Sequence, residues 1–162
     1  MSINEAIQGR YSQAVSTGSM GCSNLSPWFN IQPGDSVLDL GCGSGRQAIS
    51  LLELVGPYGT VDGLDITPAM IDAAKQLTDS PNISFTVGSI DELPYNDNQF
   101  NVVISNCVIN HSTDKERVYR ELFRTLKPGG HFLVGDVMSV GELPESVSSD
   151  PEAIAACYGG AI

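Results

Sequence analysis

Short apolar segments rich in β-branched residues alternate along the chain with stretches of helical periodicity. The apolar segments predict five strands, over residues 36–40, 60–64, 83–87, 100–105 and 131–137. The remaining periodic stretches predict helices over residues 3–15 and 46–55, from 68 onward, between 113 and 128, and from 151 to about 158. This alternation is typical of the α/β class, in which helices cover both faces of a doubly wound parallel sheet.

Local signals indicate where several helices begin. Thr67 is predicted to be the N-cap of the third helix, whose first residue is a proline. Asp150 is likewise predicted to be the N-cap of the last helix, which also begins with a proline. Thr113 and Glu116 have the spacing of a capping box. Within the sheet, we expect the first two strands to be neighbours joined by a right-handed crossover. The fourth strand, with its Val-Val-Ile run at residues 102–104, is expected to be central and buried on both faces.

A glycine-rich loop, DLGCGSGR at residues 39–46, joins the first strand to the second helix. Glycines at alternate positions allow the backbone to approach a ligand closely. The dinucleotide fingerprint would need a small residue where Arg46 stands, so the pattern disfavours a dinucleotide. Asp65 ends the second strand at the same sheet edge, where a carboxylate can accept both hydroxyls of a ribose. The two features together predict a nucleoside site.

Composition and charge narrow the function further. The 162 residues carry a formal net charge of −11, which repels phosphate backbones and anionic membranes, so neither nucleic acid nor a membrane is expected as a partner. The amino terminus lacks the pattern of a signal peptide, and the apolar runs have strand length, which predicts a cytoplasmic protein. Residues 1–162 are expected to form one domain. The spacing of the four cysteines indicates thiols rather than a zinc site or a disulfide scaffold.

Three motifs carry a resemblance to a known superfamily. Residues 37–45, VLDLGCGSG, resemble motif I of the class I S-adenosylmethionine-dependent methyltransferases, and residues 88–94 and 126–130 resemble two later motifs. The resemblance implies a Rossmann-like sheet and S-adenosylmethionine as cofactor. That fold usually has seven strands, and the last two are missing from the predicted set. We therefore expect either truncation relative to the natural protein or self-association through the exposed edge of the fifth strand.

The resemblance also implies which residues contact the cofactor: the glycine loop the amino acid moiety, Asp65 the ribose, and the segment after the third strand the adenine. The family often places an acid where Ser89 stands, and Asp91 is expected to replace it. The full expected set is Asp39, Gly41, Gly43, Ser44, Gly45, Arg46, Asp65, Ile66, Met70, Ser89, Ile90, Asp91 and Asn106.

The acceptor side resembles the arsenite methyltransferases. The similarity lies in residues 105–110, SNCVIN, and in residues 150–162, including the 50-residue separation of Cys107 and Cys157. It implies that Cys22, Cys107 and Cys157 hold trivalent arsenic as thiolates, with a thiol reductant as co-substrate. A soft metalloid held in this way keeps a lone pair that can attack the methyl group without a general base. Cys42 is not expected to contact arsenic, and His111 is expected to be a surface residue.

Two alternatives remain open at this stage. The chain could methylate another small molecule, with its cysteines merely buried, in which case turnover would not depend on arsenite. It could also be a binding or regulatory fragment that holds the cofactor or a metalloid without catalysis, as the absence of two strand patterns suggests. Labelled methyl transfer with and without arsenite separates these hypotheses.

Overall fold

The computed structural model describes residues 1–15 and 24–162, so the prediction for Cys22 lies outside the described residues. The strands are β1 (Ser36–Leu40), β2 (Thr60–Asp65), β3 (Ile83–Val87), β4 (Phe100–Asn106) and β5 (Leu126–Gly135). The helices are α1 (Ile3–Gln13), α2 (Arg46–Val55), α3 (Pro68–Leu77), α4 (Lys115–Thr125), α5 (Glu145–Ser148) and α6 (Pro151–Ala155). The described residues thus confirm the predicted α/β class.

The five strands form one parallel sheet in the order β3-β2-β1-β4-β5. As predicted, β1 and β2 are neighbours, and β4 is an interior strand, although β1 occupies the middle position. Leu40 pairs with both Leu64 and Ser105, so the carboxyl ends of β1, β2 and β4 are level. The loops that follow these three strands therefore leave the sheet at one edge.

Both faces of the sheet are packed against helices, because successive residues of a strand point to opposite sides. Val37 of β1 belongs to a core cluster that includes buried residues of α2 and α3. Leu38 and Leu40 belong to a second cluster, which includes Val118 and Leu122 of α4. The polar ends of the strands are thereby fixed between two apolar layers.

Several predicted boundaries need correction. Helix α1 ends at Gln13 instead of 15, and β4 continues to Asn106. Strand β5 covers Leu126–Gly135 instead of 131–137, because Leu126 already pairs with Phe100 and the ladder continues after an irregularity. Helix α6 ends at Ala155 and not near 158, and the chain then turns.

The predicted caps are only partly confirmed. Asp150 caps α6 by accepting a hydrogen bond from the Glu152 N–H, as expected. The capping box at Thr113 is wrong, because Asp114 is the N-cap of α4 and its side chain accepts from the Arg117 N–H. Thr67 occupies the N-cap position of α3, but its side chain makes no capping hydrogen bond.

Two further features concern the surface. None of the helices within residues 1–15 and 24–162 combines the length and apolar character needed to cross a lipid bilayer. Strand β5 lies at one edge of the sheet and pairs with β4 alone. Its Phe132 is 49% exposed and contacts the ring of Tyr119 on α4. Phe123, one helical turn after Tyr119, is 84% exposed. These three rings form an aromatic patch beside the sheet edge.

The packing beneath the glycine loop predicts a destabilising substitution. A Cβ at Gly63 of β2 would lie 2.6 Å from Cδ1 of Phe85 and 2.9 Å from Sγ of Cys42, whereas one at Gly9 of α1 would meet nothing within 4 Å. Gly63→Ala should lower the free energy of unfolding by about 1–3 kcal/mol through overpacking. Gly9→Ala, the control, should raise it by about 0.5–1 kcal/mol through higher helix propensity. Urea denaturation of both variants measures this, and equal stabilities would contradict the packing argument.

Candidate functional site

A cavity of about 1020 Å³, counted with the part open to solvent, lies at the carboxyl edge of the sheet. Its walls come from the ends of β1, β2 and β4, from the connection between β3 and β4, and from α1. Twelve of the expected cofactor residues line it: Asp39, Gly41, Gly43, Ser44, Arg46, Asp65, Ile66, Met70, Ser89, Ile90, Asp91 and Asn106. Gly45 is the exception, since it faces Ala74 and Phe85 in the core.

The glycine loop has a backbone that only glycine adopts easily. Gly41, Gly43 and Gly45 have φ values of 73°, 53° and 79°, all in the left-handed region. The N–H groups of Gly41 and Cys42 donate to the carbonyl of Leu64, at 2.7 and 2.9 Å, which ties the loop to β2. A Cβ at Gly41 would also overlap the side chain of Val108. The loop is therefore closely packed beneath the cavity.

Asp65 links the loop to the start of α3. Its Oδ2 accepts a hydrogen bond from the Gly43 N–H at 2.9 Å, and its Oδ1 accepts from the Thr67 N–H at 2.8 Å. Burial raises the pKa of this carboxyl, and the two N–H donors oppose that effect. A carboxylate has about four acceptor sites, so Asp65 can accept further hydrogen bonds from a ligand.

Asp39 is buried at the end of β1 and only half satisfied. Its Oδ1 accepts from Nε2 of Gln47 at 3.0 Å, while its Oδ2 has no hydrogen-bond partner among the residues that the structure describes. The pKa of this carboxyl is raised to about 7, mainly because the group is buried. The Gln47 hydrogen bond lowers the pKa, and the nearby Asp65 raises it. A buried acceptor without a partner is costly, so this wall of the cavity favours a ligand with a donor or a positive charge.

The segment after β3 is held by side-chain hydrogen bonds. Oδ1 of Asp91 accepts from Oγ of Ser112 at 2.5 Å, and its Oδ2 accepts from Oγ of Ser89 at 3.2 Å. Nε of Arg117 donates to the Asp91 carbonyl at 2.6 Å. Ser89 and Asp91 thus form one hydrogen-bonded unit on the cavity wall.

Cys107 and Cys157 are brought together beside the cavity, although 50 residues separate them. The Cys157 thiol donates to the carbonyl of Cys107 at 3.1 Å. Cys157 is a free thiol, whereas Cys107 is disulfide-bonded, so the expectation of thiols is wrong for Cys107. Both have backbone in the left-handed region, with φ values of 58° for Cys107 and 72° for Cys157. The two sulfurs and a carboxylate oxygen of Asp136 all lie within 4.8 Å of one another.

His111 is buried, so the expectation of a surface histidine is wrong. It is only 9% exposed and lies next to α1 and the last helix, α6. Nδ1 lies 2.9 Å from the Ile154 carbonyl, and since a carbonyl can only accept, Nδ1 carries a proton. Nε2 then faces the Tyr11 hydroxyl at 3.2 Å and Sγ of Cys157 at 3.5 Å. Burial lowers the pKa of His111, partly opposed by the hydrogen bond to Ile154.

Sequence reasoning missed three residues of this region. Asp136 directly follows β5, and Asp65 is the last residue of β2. Both acids thus stand at the carboxyl end of a parallel strand, so the argument that identified Asp65 could also have identified Asp136. Tyr11 and His111 contact each other across 100 residues, and nothing in the local sequence indicates that contact. Cys42 is buried in the glycine loop, and among the described residues the cluster consists of Cys107, Asp136 and Cys157.

Comparison with known proteins gives a consistent result. Residues 31–162 match the protein family described as "Methyltransferase domain". An arsenite methyltransferase from Halobacterium salinarum is 40% identical over 145 residues, which are 88% of this chain and 37% of that protein. A 2-phytyl-1,4-naphtoquinone methyltransferase from Nostoc is 38% identical over 113 residues, 67% of this chain and 49% of that protein. The chain thus spans less than half the length of either relative.

A solved structure extends the similarity. The crystal structure of an arsenic(III) S-adenosylmethionine methyltransferase from Chlamydomonas reinhardtii superposes with a TM-score of 0.80 at 37% sequence identity. The match covers 96% of this chain and 56% of the other. The sheet and the helices around the cavity therefore have the arrangement found in that structure.

The environment of Asp39 predicts a pH-dependent stability. The usual pKa is 3.8, whereas the folded protein holds the proton up to about pH 7. The folded state binds more protons between these values, so this group makes the protein less stable as pH rises. Between pH 5 and pH 8, the free energy of unfolding of the wild type should fall by on the order of 2–3 kcal/mol relative to that of Asp39→Asn.

Urea unfolding of both proteins at the two pH values measures this shift. Asp79→Asn, at an exposed position, controls for the loss of one negative charge. A difference between wild type and Asp39→Asn that stays constant with pH would contradict the assignment.

Proposed function

Because the chain belongs to the methyltransferase domain family, we propose that it binds S-adenosylmethionine in the cavity and catalyses methyl transfer to trivalent arsenic. One observation carries the acceptor assignment: a cluster containing two cysteine sulfurs stands beside a cavity suited to a nucleoside. The similarity to proteins described as arsenite and arsenic(III) methyltransferases supports it.

The cavity suits the cofactor in charge and shape. Oδ2 of Asp39 lacks a partner, and an ammonium or sulfonium group would supply the missing positive charge. The backbone at Gly43 leaves room for close approach, because this residue has no Cβ and nothing lies within 4 Å of where one would stand. We assign Asp65 to the ribose hydroxyls and the Ser89–Asp91 unit to the adenine. When bound, S-adenosylmethionine supplies an electrophilic methyl group at the acceptor side.

The sulfur cluster suits a thiophilic acceptor. Thiolates of Cys107 and Cys157 would hold trivalent arsenic and leave its lone pair exposed. That lone pair forms the new As–C bond, while the electron pair of the breaking C–S bond returns to the sulfur of the methyl donor. No proton is removed from arsenic, so the reaction needs no general base. We assign the third thiolate to Cys22, which lies outside the described residues.

A thiol reductant belongs to this proposal for two reasons. Cys107 is disulfide-bonded in the structure and must be reduced before it can bind arsenic. Methylation also raises arsenic from oxidation state III to V, so two electrons must be supplied before a further methylation. Each of these two reductions takes two electrons, which one dithiol supplies by forming its own disulfide, so two dithiols are needed for both. A cytoplasmic location and a single domain over residues 1–162 remain predictions from the sequence.

A second candidate is methyl transfer to a different small molecule. The similarity to a naphthoquinone methyltransferase favours it, because that protein matches this chain at comparable identity. The two candidates share the cofactor cavity and differ in whether Cys107 and Cys157 are needed. A fragment that binds without catalysis would show cofactor binding and no product.

Labelled methyl transfer tests the proposal directly. With labelled S-adenosylmethionine and a dithiol, methylated arsenic should form only when arsenite is present. Cys157→Ser should lower the rate by more than about tenfold, because one arsenic ligand is lost. Calorimetry should show that this variant still binds S-adenosylhomocysteine, which separates loss of the acceptor site from loss of the fold. Arsenite-independent methylation that Cys157→Ser leaves unchanged would favour the second candidate.

The free edge of β5 leads us to propose self-association. Within residues 1–15 and 24–162, no strand lies beyond β5 in the sheet, and the aromatic patch beside this edge exposes apolar surface. Sedimentation velocity should show a dimer that grows with concentration. Phe132→Lys should abolish it, because a lysine on an edge strand opposes pairing. A strictly monomeric wild type at high concentration would refute self-association.

A further inference from the structure

The two sulfurs share their cluster with a carboxylate that arsenic binding does not require. An oxygen of Asp136 lies within 4.8 Å of the sulfurs of Cys107 and Cys157. Trivalent arsenic prefers thiolates, and uncharged arsenous acid gains nothing from a nearby negative charge. Two thiolates and a carboxylate together carry three negative charges. That combination of ligands and charge suits a divalent cation better than a neutral metalloid.

The orientation of Asp136 supports a role as a ligand. Its Oδ2 accepts a hydrogen bond from the Asn110 N–H at 3.2 Å, and its Oδ1 accepts from the Val137 N–H at 3.0 Å. The Asn110 side chain in turn donates to the carbonyl of Val137 at 2.7 Å. Backbone groups therefore hold the carboxylate beside the sulfurs, as the outer hydrogen bonds of metal sites do.

The separation of the three atoms suits a zinc-like ion. Zinc binds sulfur at about 2.3 Å and carboxylate oxygen at about 2.0–2.2 Å, so its ligand atoms lie roughly 3–4 Å apart. Atoms within 4.8 Å of one another reach that spacing through small side-chain rotations. Cys157 is also 5% exposed and Cys107 is 4% exposed, which limits competition from water.

We propose that, once Cys107 is reduced, Cys107, Cys157 and Asp136 bind a divalent cation of the zinc class. The three protein ligands leave a fourth position of a tetrahedral ion open to water. Such a cation would occupy two sulfurs that arsenic needs, so it would inhibit arsenite binding. The inhibition rests on the proposed function, whereas the cation site itself does not.

Equilibrium dialysis against Zn²⁺ tests the site without cofactor or arsenite. Protein reduced with a phosphine should bind one zinc ion per chain at this site, and Asp136→Asn should weaken binding by at least about tenfold. Glu142→Gln removes one negative charge from an exposed side chain nearby in sequence and should bind zinc like the wild type. Unchanged zinc affinity in Asp136→Asn, or no zinc in the wild type, would overturn the proposal.

Co²⁺ provides a second readout that needs no variant, should Asp136→Asn fail to fold. Reduced wild-type protein should show thiolate-to-cobalt charge-transfer absorption, and arsenite should abolish that absorption by taking the sulfurs. Absence of the charge-transfer band would overturn the cation site. A band that arsenite leaves unchanged would support the cation site and contradict the arsenic assignment, so the two proposals fail separately.

Discussion

The site depends on the register of the parallel sheet. Pairing of Leu40 with Leu64 and Ser105 puts the ends of three strands at one level, and β5 extends this edge through its pairing with β4. If one strand shifted by one residue relative to its neighbour, every buried side chain of that strand would move to the opposite face of the sheet. The apolar clusters on both faces thus fix where the polar loops begin. Asp65, Cys107 and Asp136 therefore all lie at this edge of the sheet, because the packing of the core fixes the register of the strands.

The lining of the cavity was largely predictable from the sequence, since its residues follow strands in short local motifs. Three alternating glycines require left-handed backbone, and an acid at the end of a neighbouring strand must face them in a parallel sheet. Gly45 does not line the cavity, and it has a second reason to be glycine besides its left-handed backbone. A Cβ at this position would lie within 2.9 Å of Ala74 and Phe85, so its absence lets the start of α2 pack closely on the core. A motif does not distinguish these two uses of glycine.

The acceptor side was less predictable, because its contacts join segments distant in sequence. The burial of His111 comes from Tyr11 of α1 and Ile154 of α6, and no local pattern encodes that meeting. The error in β5 has a similar origin: residues 126–130 contain a proline and two glycines that suggest a turn, yet Leu126 already pairs with Phe100 of β4 and the ladder resumes at His131 after an irregularity that contains Gly129, with a φ of 83°. The cap of α4 moved by one residue, since an aspartate directly before the helix competes with the preceding threonine. Tertiary contacts decided the first two cases, and local competition decided the third.

The left-handed backbone at Cys107 and Cys157 has a consequence for how these positions tolerate change. A residue with a Cβ in that region carries strain on the order of 1–3 kcal/mol, which glycine avoids and asparagine reduces. Replacement by either would therefore relieve the backbone, and selection for folding alone would favour it. In the proposed function, the two sulfur atoms outweigh this cost in conformational stability. The main chain sets the direction of both sulfurs, so a ligand that bridges them after reduction of Cys107 would meet sulfurs that folding has already positioned.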